Sequence, residues 1–100
     1  MRIYISGPIT GHKGYMARFN EAEQILIDEG YASIINPAWV NAQLPNDFSH
    51  EDYMRVCVAE LECCDTIYML NGWRDSKGAN IEYAYAKSHG YNIMYESEVE

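Results

Sequence analysis

Thr66-Ile67-Tyr68-Met69-Leu70 runs into Asn71-Gly72-Trp73-Arg74-Asp75-Ser76-Lys77-Gly78-Ala79-Asn80-Ile81-Glu82 and then into Tyr83-Ala84-Tyr85-Ala86-Lys87. The first piece is short, apolar and rich in β-formers, which reads as a buried strand. The second holds Gly and Ser, which reads as a loop. The third is rich in alanine, which favours helix. A strand, a tight loop and a helix start together make a site for anions, because the first amides of a helix lack partners and carry partial positive charge. Ser76 is the candidate N-cap, and Glu82 falls in the first turns after it. A carboxylate there should stay ionised and face a ligand, or else simply complement the helix dipole.

The same alternation extends in both directions. Arg2-Ile3-Tyr4-Ile5-Ser6 reads as a first strand, followed by a loop from Gly7 to Gly14 that includes Pro8, Ile9 and Thr10. Its glycines let a ligand approach the backbone closely, but it lacks the ending of a Walker loop. Tyr15 to about Glu29 carries a helical apolar spacing and stops at Gly30. Tyr31 to Ile35 reads as a second strand, ended by Asn36-Pro37-Ala38-Trp39, with a polar loop over residues 40 to 48. Ser49-His50-Glu51-Asp52 is a capping signal for a helix running to about Cys63. Asp65 opens the third strand, and Tyr91 to Tyr95 supplies a fourth after the helix that ends near His89-Gly90. The acidic tail from Glu96 to Glu100 is expected to fray.

Strand and helix therefore alternate through one domain spanning residues 1–100. That pattern predicts an α/β fold with about four parallel strands and helices on both faces. Right-handed crossovers gather the loops after the first three strands at one edge, where ligands bind. Loop two brings Asn36, Pro37, Trp39 and Asp47; loop three brings Trp73, Arg74, Asp75, Ser76 and Gly78. Four of the seven basic residues, Lys13, Arg18, Arg74 and Lys77, lie in or just after these loops. They suggest an anionic ligand, or else they decorate exposed loops. Trp39 and Trp73 are candidates to stack on a planar base, or to serve as core or interface filler.

Composition narrows the function classes. The net charge of −8 opposes binding to nucleic-acid polymers or anionic membranes. No long apolar run or export signal is visible, so a soluble, cytoplasmic protein is expected. Cys57, Cys63 and Cys64 show no CxxC spacing and no zinc pattern. Cys57 shares a helical stripe with Met54, Val58, Leu61 and Cys64, so it reads as a small buried hydrophobe. His12 and His50 are isolated and suggest no catalytic triad.

Three stretches carry a family likeness: Ile3 to Gly11, Cys64 to Leu70, and Ser76-Lys77-Gly78 with Ile81 to Ala86. In this order they resemble the nucleoside 2-deoxyribosyltransferase-like superfamily, over nearly the whole chain, and most of all a compact phage and bacterial branch. The resemblance implies a Rossmann-like (flavodoxin-like) three-layer sandwich and attack on an N-glycosidic bond. It implies Glu82 as nucleophile, Tyr4 as the residue orienting it, and Gly7, Pro8, Ile9, Ser76 and Gly78 around the sugar or its 5′-phosphate. It implies a nucleoside or nucleotide substrate with no metal or other cofactor, and a homo-oligomer. One departure stands out. Active relatives place an aspartate where this chain has Cys57, and a thiol supplies neither its charge nor its proton; Asp47, Asp52 or Asp75 would have to stand in. Alternatives are a nucleotide-binding module without turnover, and a hydrolase of an NAD-like ligand.

Overall fold

The computed structural model describes residues 1–96. Its strands are β1 (Ile3–Ser6), β2 (Ile34–Ile35), β3 (Thr66–Met69) and β4 (Asn92–Tyr95). Its helices are α1 (Tyr15–Asp28), α2 (Pro37–Val40), α3 (His50–Glu62) and α4 (Lys77–Ser88). The strands form one all-parallel sheet in the order β2-β1-β3-β4. The expected α/β three-layer sandwich is therefore the observed one. No helix among the described residues is long and apolar enough to cross a membrane.

Side-chain alternation along the strands divides the core into two layers. Ile3 and Ile5 of β1 and Tyr68 of β3 face α1, packing with Phe19, Ala22 and Leu26. Tyr4, Ile67 and Met69 face the opposite way, toward Cys57 and Leu61 of α3 and Ala79 and Ala86 of α4. Both central strands are buried along their whole length, which is why they read as unbroken apolar runs.

Several boundaries differ from the sequence reading. The second strand keeps only Ile34 and Ile35 of the five residues expected. The segment expected to be loop after it is partly helical. Asn36 caps α2, with Pro37 in its first turn, and a 3₁₀ turn follows over Asn41–Gln43. The expected capping box at Ser49 is present: Asp52 N–H donates to Ser49 Oγ, and Ser49 N–H donates to Asp52 Oδ2, each at 3.0 Å. Glu96 is anchored rather than frayed. Its carboxylate accepts from Asn71 N at 2.7 Å and pairs with Arg18 at 3.5 Å. The rest of the expected tail, residues 97–100, lies outside the described residues.

The strand order puts a switch point between β1 and β3. The chain leaves β1 toward β2 on one side and returns to β3 on the other, so the loops after β1 and β3 diverge and open a crevice between them. Gly7 sits at the mouth of that crevice, pressed against Leu70. A Cβ at residue 7 would lie 2.8 Å from Leu70 Cβ and 2.9 Å from its Cδ1. Gly7→Ala is therefore expected to destabilise the fold by about 1–3 kcal/mol through overpacking. Urea unfolding of the two proteins checks this; an unchanged midpoint would mean that the strand edge gives way freely.

Candidate active site

The crevice is a cavity of about 860 Å³ at the carboxyl ends of β1 and β3. That volume lies within the range of small-molecule sites. Loop one contributes Gly7, Pro8, Ile9 and Thr10 to its lining. The start of α4 contributes Ser76 and Gly78, and the floor holds Tyr4 and Glu82. Eight of the eleven expected site residues thus meet at one place.

Glu82 lies in the second turn of α4, within the first turns after the Ser76 cap as the sequence places it. Its side chain drops onto β1 and is 5% exposed. Tyr4 Oη donates to Oε2 at 2.6 Å, and Ser6 Oγ donates to Oε1 at 2.6 Å. Tyr4 and Ser6 are two residues apart on one strand, so the pleat aims both hydroxyls the same way. Their contacts are local, whereas the carboxylate comes from the far half of the chain.

Burial and hydrogen bonding oppose each other at Glu82. Burial disfavours the charged form and raises its pKa to about 7; the Ser6 and Tyr4 donors pull it down, and burial wins. This corrects the expectation of a simply ionised carboxylate: the group is poised near neutrality. Burial, followed by the Glu82 charge, holds the Tyr4 phenol well above its ordinary range, so it remains a donor.

Cys57 is buried, as its stripe predicts, and it also lines the cavity beside Tyr4. Burial, then the nearby Glu82 charge, pushes its thiol up to about 12. At neutral pH it is a neutral neighbour, neither an acid nor a nucleophile. Of the three aspartates considered as substitutes for a charge at residue 57, only Asp75 lines the cavity. Asp52 is held by Ser49 and by Arg55 at 3.0 Å.

Three expected residues stay outside. Asn36 is buried with its polar atoms engaged, donating to Asn20 and Glu23 and accepting from Trp39 N–H. Trp73 is core, stacked on Tyr83 with ring centroids 4.4 Å apart. Trp39 is 66% exposed and does not line the cavity. Most of the clustered basic residues also look elsewhere. Arg18 donates to the Asn71 carbonyl at 2.8 Å, and the Arg74 guanidinium sits 4.7 Å from the Trp73 ring centroid. Lys77 is the one of the four that lines the cavity, and the two histidines treated as isolated, His12 and His50, join it there.

The start of α4 has the expected cap, with Ser76 Oγ accepting from Ala79 N–H at 3.2 Å. Helix geometry leaves the Lys77 and Gly78 amides without intrahelical acceptors beside the cavity. Gly78 is packed under Met54, whose sulfur would lie 3.1 Å from a Cβ there. Among the described residues, no three His, Cys, Asp or Glu side chains group into a metal-binding set.

Two polar residues at the site, Ser6 bonded to Glu82 and Asn41 on the cavity lining, are not picked out by the sequence. Ser6 carried a signal, because Tyr4 and Ser6 place two hydroxyls on one face of an otherwise apolar strand. Asn41 carried none, since a turn after a four-residue helix has no periodicity to read. A family model described as "Domain of unknown function (DUF4406)" matches residues 1–95. No curated protein matches the sequence.

Proposed function

We propose that this chain, which belongs to the DUF4406 family, breaks the N-glycosidic bond of a nucleoside or nucleoside 5′-monophosphate. The observation that carries the reading is the buried Glu82 carboxylate on the cavity floor, with a hydroxyl donor fixed on each oxygen. Two donors hold the group in one orientation, so little reorganisation is needed when it attacks. In the reaction, a Glu82 oxygen bonds to the anomeric carbon as the bond to the base nitrogen breaks. The base leaves with that electron pair and takes up a proton. Water or an acceptor base then displaces Glu82 from the glycosyl ester. The carboxylate supplies the nucleophile itself, so this route needs no metal or redox cofactor.

The start of α4 is the counterpart for a 5′-phosphate. Two open amides, the Ser76 cap and Lys77 lie together on the cavity wall. A protein of net charge −8 has few other places to accept an anion. The ligand is a small nucleotide rather than a polymer, and the working form is a cytoplasmic homo-oligomer. The test is to incubate the protein with 2′-deoxynucleosides and their 5′-monophosphates, with and without an acceptor base. Free base, or exchanged product when an acceptor is present, is the expected result. Tight binding with no base released would identify a nucleotide-binding module instead, a reading that the neutral Cys57 thiol beside Glu82 favours. Release from NAD alone would point to the dinucleotide alternative.

A further inference from the structure

Asn41 is buried at 6% exposure and lines the cavity with Tyr4, Cys57 and Glu82. Its Nδ2 donates to Glu60 Oε1 at 3.1 Å and faces Cys57 Sγ at 3.6 Å. Both hydrogens of the amide are thereby directed into the protein. The Glu60 carboxylate also fixes which way the amide points. A carboxylate accepts but does not donate, so the reversed amide would set two oxygens against each other. Asn41 Oδ1 is thus turned away from Glu60, and it receives no hydrogen bond from any described residue. Nor is it sealed in, because the one enclosed, unpartnered side-chain polar atom among the described residues is Tyr68 Oη. The result is an oriented acceptor that is not fully enclosed, on a residue that lines the cavity. The same amide's Nδ2 contacts Cys57, which in turn interacts with Tyr4.

An acceptor in that position calls for a neutral donor on the ligand, and a sugar hydroxyl is the donor that a nucleotide presents beside its anomeric carbon. We propose that Asn41 Oδ1 accepts a ring hydroxyl of the substrate sugar and fixes the sugar relative to Glu82, with Glu60 as the positioning residue that sets the amide. The proposal rests on the nucleotide reading above. An amide suits the place better than a carboxylate would. Glu60 already disfavours Glu82 ionisation; a further negative charge at residue 41 would add to that, and the amide accepts the same hydrogen bond without the penalty.

The experiment measures binding in the Glu82→Gln protein, so that turnover does not intervene. The probes are nucleoside 5′-monophosphates in the ribo, 2′-deoxy and 2′,3′-dideoxy series. Removing the contacted hydroxyl is expected to weaken binding by about threefold to tenfold when Asn41 is present. Adding Asn41→Ala should abolish that ratio while weakening the parent nucleotide by a similar factor. Glu60→Leu, which frees the amide to flip, should shrink the ratio as well and serves if Asn41→Ala does not fold. Equal affinity across the three series with Asn41 in place, or a ratio that survives Asn41→Ala, would overturn the role of Asn41 and leave the nucleotide reading standing. Binding of none of the nucleotides would overturn that reading, and the role of Asn41 with it.

Discussion

Glu82→Gln is expected to bind nucleoside 5′-monophosphate with nearly unchanged affinity and to release base about 10⁴-fold more slowly or worse. The size follows from the role: removing a nucleophile removes the covalent route, and only binding and electrostatics remain. The retained binding follows from geometry. Glutamine has nearly the same shape, and its carbonyl can still accept from Tyr4 Oη or Ser6 Oγ, so the floor of the cavity should keep its form. Ser76 and Gly78, proposed to hold the phosphate, belong to another part of the lining and should be untouched. Single-turnover base release measured beside equilibrium binding separates the two effects. A variant that keeps a tenth or more of the wild-type rate would remove Glu82 from the chemistry and return the cavity to a binding role.

What the sequence disclosed, and what it withheld, divides along physical lines. The strands β1 and β3 were legible because burial on both faces demands unbroken apolar runs, and the caps at Ser49 and Ser76 were legible because their spacing is local. The gathering of loop one and the start of α4 followed from crossover handedness. The second strand was overextended because Tyr31 and Ala32 have strand-like or neutral character, and only the pairing of Ile34 and Ile35 with β1 limits it. The tryptophans were unreadable for a different reason. An indole near a loop satisfies either a core or a ligand, and only the position of Tyr83 assigns Trp73 to the core. The charge state of Glu82 was misjudged because helix position suggests a stabilised anion, while burial depends on how α4 lies across β1. No local pattern encodes that depth.

The same burial gives the second large effect, on stability. The folded pKa of Glu82 is about 7, above its ordinary 4.5, so the folded protein holds a proton that the unfolded chain has released between those values. A raised folded pKa stabilises the fold fully below about pH 4.5, and that contribution is lost as pH rises through about 7. The difference between the two pKa values corresponds to a contribution on the order of 3 kcal/mol. Other groups act in the opposite direction: Asp52 and Asp65 are held below their ordinary range, chiefly by backbone donors, and destabilise the fold as they protonate in acid. Their effect is common to the wild type and Glu82→Gln, so the difference in unfolding free energy between the two isolates Glu82. Glutamine cannot ionise. Its advantage over glutamate is therefore expected to grow from about pH 5 to pH 7 and to level off above that, by urea titration at each pH from 5 to 8. A difference that stays flat across this range would mean that the carboxylate ionises as freely in the fold as in water. With the raised value, base release should fall as pH drops below about 7 and the nucleophile protonates; the flat outcome would instead leave Glu82 charged and ready to attack throughout the range.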